Sequence, residues 1–112
     1  MVELLSPAGN FQKLKTAIHF GADALYCSFE DFGLRSNAGN FTLKELKEAI
    51  DYTKKAHRKI YLTLNSYLFD KDFIKLREFL SFLKNNPPDA VIVSDLGVLS
   101  ILQETKIPIH IS

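Results

Sequence analysis

The chain has 112 residues, enough for one small domain. Its apolar fraction of 46% and formal net charge of +1 are ordinary for a globular protein and give no reason to expect a highly charged partner. The one cysteine, Cys27, excludes an internal disulfide and a CxxC metal pair, which fits a reducing, cytoplasmic compartment. No apolar run approaches the roughly 20 residues that a membrane helix needs. Glu3 and Pro7 interrupt any signal-peptide core.

The chain reads as strands alternating with helices, in the order β-α-β-α-β-α-β-α-β. Apolar runs bounded by turn residues predict strands at Val2–Leu5, Ala24–Cys27, Ile60–Leu64, Ala90–Val93 and Ile107–Ile111. Helical periodicity predicts helices that begin at Phe11, Thr42, about Asp70 and Gly97, the last two ending at Lys84 and Glu104.

Helix boundaries carry recognisable end signals. Asn10 is a favourable N-cap for the first helix, and Gly21 suits the C′ position after it. Thr42 with Glu45 forms a capping box. The predicted inward faces are Phe11, Leu14, Ala17 and Ile18; Leu43, Leu46, Ile50 and Thr53; and Phe73, Leu76, Leu80 and Leu83.

The alternation of strands and helices predicts an α/β fold with a parallel sheet. Polar residues share one parity near several strand ends: Asn65, Asp95, His110 and Ser112. A barrel has such a polar lumen, so we predict a partial (β/α)8 TIM-type barrel of about five strands and four helices. A whole barrel needs about 250 residues, so the chain is either a fragment of a longer protein or completes itself with another copy. A flavodoxin-like sheet is the structural alternative.

Five segments of the chain together resemble one known family. They are Glu3–Asn10, Gly21–Tyr26, Leu34–Thr42, Asp89–Val98 and Ile109–Ser112. In order and spacing they resemble the N-terminal part of the U32 peptidase family, often called collagenase-like proteases. The resemblance implies that residues 1–112 form the N-terminal half of a TIM-like barrel in a longer protein.

The resemblance implies three kinds of activity. The family name implies a peptidase, acting on peptides. Other members are similar to proteins that hydroxylate tRNA or ribosomal RNA, or ubiquinone. A downstream cysteine-rich region, which binds an iron–sulfur cluster in some members, is not within this sequence, so no cofactor is expected in this segment. The isolated segment is expected to be inactive as a protease.

Active sites of barrels lie at the carboxyl ends of the strands, which defines the candidate residues. In the opening turn, Ser6, Gly9 and Asn10 are candidates for substrate binding through free backbone N–H groups, or they serve only as turn and cap residues. Asn65 and Ser112 follow later strands and are further candidates for substrate binding.

Three charged or titratable residues are the stronger candidates. Arg35 suits a carboxylate or phosphate ligand, or anchors its own loop. His110 is a candidate general acid or base, or a hydrogen-bonded interior histidine. Asp95 is a candidate general base, or the N-cap of the fourth helix.

Other features favour simpler roles. Glu3 is interpreted as a mid-strand carboxylate with a structural partner, and Cys27 as a buried thiol. No lysine ends a strand, so an imine-forming enzyme has no nucleophile here, and no residue spacing indicates a metal site. Two hypotheses remain for the function. In the first, the chain is a segment of an enzyme and binds peptide or RNA. In the second, it is a non-catalytic module that forms homo-oligomers through open barrel edges, and neither hypothesis includes a membrane partner.

Overall fold

The computed structural model describes residues 3–28, 43–64, 73–93 and 102–111. The strands are β1 (Leu5–Pro7), β2 (Ala24–Ser28), β3 (Lys59–Leu64), β4 (Ala90–Val93) and β5 (Ile109–Ile111). The helices are α1 (Phe11–His19), α2 (Leu43–Lys55) and α3 (Phe73–Asn85), with a short 3₁₀ turn at Gln103–Thr105. No helix among these described residues is long and apolar enough to cross a membrane.

All five strands form one sheet in the order β1-β2-β3-β4-β5, and every neighbouring pair is parallel. Each strand therefore lies next to the strand that precedes it in the chain. A flavodoxin-like sheet needs the order 2-1-3-4-5, so that alternative is wrong. The α/β fold is confirmed, and its strand order is consistent with an arc of a (β/α) barrel.

One face of the sheet packs against the helices and forms the core. Cys27, Leu62, Val91 and Ile109 are partners in the strand register, so their side chains point to the same face. The first three are at most 1% exposed and belong to one apolar cluster that also includes residues of α1, α2 and α3. The helical members of this cluster are Leu14, Leu46, Ala49, Ile50, Phe79, Leu80 and Leu83.

Most of the predicted inward residues are confirmed where the structure describes them. Leu14, Leu46, Ile50 and Thr53 are buried, and the Thr53 hydroxyl donates to the Ala49 carbonyl at 2.7 Å. That bond removes the cost of burying the hydroxyl. The side chains of Phe73 and Leu76, and the proposed cap Thr42, lie outside the described residues.

The ends of α1 and α2 have the same backbone geometry. After α1, Gly21 has φ +96°, with bonds from Gly21 N to Ile18 O and from Ala22 N to Ala17 O, both 3.0 Å. These two bonds define a Schellman motif with glycine at C′, as the sequence predicts. After α2 the same pair of bonds forms around His57, which has φ +58°. A non-glycine residue in this left-handed conformation is strained.

We expect His57→Gly to raise the free energy of unfolding by about 1 kcal/mol, because glycine adopts positive φ without strain. Nothing lies within 4 Å of a Cβ added at Gly21. Gly21→Ala therefore tests the backbone cost alone and should lower stability by a similar amount, about 1 kcal/mol. Urea unfolding followed by circular dichroism measures both variants. Shifts of the same sign would contradict a conformational origin.

Two aspartates that directly precede strands make the same pair of hydrogen bonds to a neighbouring segment. Asp23, before β2, accepts from Leu4 N at 2.9 Å through its carboxylate and donates its own N–H to Leu4 O at 2.9 Å. Asp89, before β4, repeats both bonds with Ile60 at 2.8 and 2.9 Å. Both are followed by alanine and an apolar residue. The second strand of the unit β1-α1-β2 and the second strand of the unit β3-α3-β4 are therefore preceded by the same aspartate hydrogen-bond pattern.

We expect Asp89→Ala to cost about 1.5–3 kcal/mol of stability, because a hydrogen bond to a charged acceptor is lost and the Ile60 N–H loses this partner. Asp89→Asn keeps a carbonyl oxygen at that position and should cost less. Chemical denaturation measures both changes. Asp51→Ala, at an exposed position of α2, is the control, and a cost equal to that of Asp89→Ala would overturn this assignment.

Several predicted boundaries are wrong by a few residues, for identifiable reasons. The first strand is Leu5–Pro7 rather than Val2–Leu5, so Ser6 lies inside it. Ala8 N donates to Tyr26 O at 3.0 Å, which continues the pairing past Pro7. Proline is tolerated because β1 lies at the edge of the sheet. The fifth strand begins only at Ile109, and most of the predicted helix Gly97–Glu104 lies outside the described residues.

Candidate functional site

The sheet face opposite the helices is the open face. Its members, defined by the strand register, are Leu5, Pro7, Ala24, Tyr26, Lys59, Tyr61, Thr63, Ala90, Ile92 and His110. Apart from the two alanines, these side chains are exposed or half-buried. The alternate strand residues that the sequence predicts for a barrel lumen therefore lie on the open face and are the less buried set. The alternate residues on the opposite face form the core.

Tyr61 and His110 meet on the open face although β4 lies between their strands. Their ring centroids are 6.0 Å apart, with planes inclined at 47°. On β4, Ala90 is the register partner of Tyr61 and Ile92 is the register partner of His110, so the two rings approach each other diagonally. Because alanine has only a methyl group, the two rings can approach each other across the intervening strand. His110 is exposed at this position, so its imidazole is accessible to a ligand.

Glu3 fixes the other end of Tyr61. The Tyr61 hydroxyl donates to Glu3 Oε1 at 3.2 Å. Burial raises the pKa of Tyr61 above its ordinary value, and the hydrogen bond to Glu3 and the charges of Glu3 and Asp89 add to the effect. The phenol therefore stays protonated at neutral pH and remains a donor. The predicted structural pairing of Glu3 is confirmed, but Glu3 precedes β1 rather than lying within a strand.

In the opening turn, the side chains of Asn10 and Ser6 make local contacts with the backbone. Asn10 accepts from Lys13 N at 2.8 Å and caps α1, which is the simpler of its two predicted roles. The Ser6 hydroxyl lies 3.5 Å from Pro7 O, and the register places Ser6 with Leu25 and Ile60 on the helix side of the sheet. Gly9 is exposed in the bend between β1 and α1. Substrate binding by these residues stays a prediction.

The other predicted site residues fall in segments that the structure does not describe. Arg35, Asn65, Asp95 and Ser112 lie outside the described residues. Of the two catalytic candidates, only His110 is therefore placed, on the open face beside Tyr61. Tyr61 was not among the site residues predicted from the sequence. The signal that could have found it is a tyrosine two residues after the start of a strand, on the same parity as His110.

Cys27 is confirmed as a buried thiol. It is 1% exposed, and burial raises its pKa from 9.0 to about 12. A thiol that does not ionise near neutral pH is a poor nucleophile and a poor metal ligand. Within the described ranges, no group of three or more histidine, cysteine, aspartate or glutamate side chains could hold a metal ion.

We expect Cys27 to react with Ellman's reagent only when the chain unfolds, because the folded thiol is buried and protonated. The raised pKa also stabilises the folded state below pH 9.0, and this contribution is lost as pH rises towards about 12. Thiol titration in native buffer and in denaturant gives the measurement. Rapid labelling of the native protein would contradict the burial of Cys27.

The sequence of the chain is similar to one family model and to several known proteins. A family model described as peptidase family U32 matches residues 9–112. The chain is 46% identical over its whole length to an uncharacterized protease of Methanocaldococcus jannaschii, covering 28% of that protein. It is 43% identical to tRNA hydroxylation protein P of Helicobacter pylori, with 99% of this chain and 27% of the relative covered. It is 37% identical to 23S rRNA 5-hydroxycytidine C2501 synthase of Escherichia coli, over 89% of this chain and 15% of the relative.

Proposed function

Because the chain belongs to peptidase family U32, whose model matches residues 9–112, we propose that it forms the first part of the substrate-binding barrel of an enzyme that hydroxylates RNA. The relatives named for tRNA and rRNA modification, 43% and 37% identical, support this proposal. The structural observation that carries it is the pairing of an exposed imidazole with a fixed phenol on the open face. The chain spans about a quarter of the length of its 43%- and 46%-identical relatives, so the reaction belongs to the whole protein.

The residues of this chain then bind and orient the substrate. His110 is proposed to take or give a proton at a nucleobase, because its imidazole is exposed on the open face. Arg35 is proposed to bind a backbone phosphate, and Asp95 to act as a base or to cap its helix. Asn65, Ser112, Ser6, Gly9 and Asn10 are proposed to hydrogen-bond to the substrate.

An iron–sulfur cluster does not fit the residues of this chain. Such clusters are held mainly by cysteine thiolates, and the sequence has one cysteine, which is buried with its pKa raised to about 12. A cluster in the whole protein would therefore need ligands from outside residues 1–112.

Nucleoside mass spectrometry tests the proposed function. Total tRNA and rRNA from a strain that lacks the gene should lose a nucleoside that carries one additional oxygen atom. Re-expression of the natural gene should restore that nucleoside. An unchanged nucleoside profile in the deletion strain would reject hydroxylation of RNA by this protein.

A second candidate function is proteolysis, favoured by the relative named as a protease at 46% identity. Incubation of the purified protein with gelatin and casein provides the test. The proposed RNA activity predicts no cleavage products. Cleavage that disappears in His110→Ala, with the nucleoside profile unaffected by gene deletion, would replace the first proposal with this one.

A further inference from the structure

The open face carries aromatic rings from three strands. Tyr26 and Tyr61 are register partners on β2 and β3, so their side chains leave the sheet next to each other. Tyr61 then meets His110 of β5 at 6.0 Å. With neighbouring strands about 4.8 Å apart, these three residues extend about 14 Å across the sheet. We call Tyr26, Tyr61 and His110 the aromatic row.

The aromatic row is accessible and held in place. Tyr26 and Tyr61 are half-buried and His110 is exposed, so ring surface remains open to a ligand. Of the neighbouring open-face residues, Ala90 is too small to cover the ring of Tyr61, whereas Pro7 and Ile92 are the register partners of Tyr26 and His110. The bond from the Tyr61 hydroxyl to Glu3 at 3.2 Å fixes the orientation of that phenol. A flat ring held in one orientation loses little entropy when a second flat ring stacks on it.

We propose that the aromatic row is a stacking site for a nucleobase of single-stranded RNA. Proteins that bind single-stranded RNA commonly stack unpaired bases on aromatic side chains displayed by a sheet. Because the Tyr61 hydroxyl donates its proton to Glu3, Tyr61 offers the base its ring face rather than a hydrogen-bond donor. The ligand class rests on the proposed function, whereas the site rests on the placement of the three rings.

Charge on the same face is compatible with a nucleic acid strand. Lys59 is exposed and precedes Tyr61 by two residues on β3, so its side chain emerges on the same face about 7 Å away. An ammonium group at that distance can contact the phosphate next to a stacked base. Glu3 and Asp89 are acidic groups close enough to Tyr61 to raise its pKa, and Glu3 Oε1 accepts from the Tyr61 hydroxyl.

Fluorescence anisotropy with a short fluorescein-labelled oligocytidylate tests the proposal on the purified chain. Tyr61→Leu keeps an apolar side chain but removes the aromatic ring, and it should weaken binding about tenfold or more. Tyr61→Phe keeps the ring but loses the bond to Glu3, so it should bind less tightly than the natural chain and clearly more tightly than Tyr61→Leu. Tyr52→Leu is the matched control, because Tyr52 is an exposed tyrosine on α2 that packs against Phe11, in the helical layer.

An oligonucleotide with abasic sites at every position separates stacking from phosphate attraction in the natural chain, whatever the stability of the variants. The proposal expects weak binding of the abasic probe. Equal binding of both probes, no binding of either, or equal losses in Tyr61→Leu and Tyr52→Leu would each overturn it. Displacement of the oligocytidylate by a gelatin peptide would assign the row to a peptide instead.

The failure of this inference is distinguishable from failure of the proposed function. Binding that depends on Tyr61 but not on Tyr52 supports the site even if gene deletion leaves every nucleoside unchanged. Loss of the hydroxylated nucleoside on deletion, combined with binding that is indifferent to Tyr61, rejects the site and keeps the function. Circular dichroism melting of each variant confirms that the compared proteins are folded.

Discussion

Under the proposed function, replacement of His110 by alanine is expected to lower the rate of RNA hydroxylation by the whole protein by about 10²- to 10⁴-fold, the usual contribution of a general acid or base. The imidazole is exposed on the open face, beside the ring of Tyr61 at 6.0 Å. The hydroxylated nucleoside should therefore disappear, or nearly so, when the deletion strain expresses His110→Ala. Nucleoside mass spectrometry measures the remaining fraction.

Two further variants make this prediction specific to the proton-transfer group. His110→Phe keeps a ring in the aromatic row but cannot transfer a proton, so it should bind the oligocytidylate and fail to restore the nucleoside. His19→Ala changes an exposed histidine on α1 and should restore it fully. Full restoration by His110→Phe would show that His110 contributes stacking alone. Failure of His19→Ala would show that the assay reports general loss of protein.

Much of the fold could be predicted from the sequence because the signals are local. Turn residues bracket each strand, and Asn10 and Gly21 occupy the cap positions that their conformations favour. The order of the strands could not be predicted from local sequence signals, since a TIM-type barrel and a flavodoxin-like sheet both alternate strands with helices. Only the pairing of each strand with its predecessor separates them.

The site was less accessible to sequence reasoning because it depends on pairing across the sheet. The parity of His110 was visible, but its approach to Tyr61 depends on the register and on the small side chain of Ala90. The left-handed conformation of His57 was also missed, since glycine is the usual signal for it. Asn10 had two open roles, and the bond at 2.8 Å from Lys13 N supports the capping role.

The aromatic row and the helix-side core impose opposite demands on the same strands. In β3, Ile60 and Leu62 are 1% exposed in the core, whereas Tyr61 between them is half-buried on the open face. A one-residue shift in register would exchange these faces, so packing of the core also fixes the placement of the row. Stability of the helical layer is therefore a condition for any ligand site on the open face.

Phe79 of α3 is the residue whose truncation should cost the most stability. It is 0% exposed, belongs to the apolar core, and stacks on Phe82 with ring centroids 6.2 Å apart. The periodicity of α3 predicted Leu80 and Leu83 as inward residues but missed Phe79. An apolar stripe at least 100° wide includes it, since it lies next to Leu80 and one turn before Leu83.

We expect Phe79→Ala to lower the free energy of unfolding by about 3–5 kcal/mol, because the lost ring leaves a cavity that the core fills only partly. Domains of this size are stable by about 5–15 kcal/mol, so the variant loses a large share of its stability. Phe82→Ala, at a partly buried position of the same helix, should cost clearly less. Phe79→Leu retains part of the apolar volume and gives a measurable value if the alanine variant does not fold. Urea unfolding provides all three values, and a cost for Phe82→Ala that equals or exceeds the cost for Phe79→Ala would place the centre of the core elsewhere on α3.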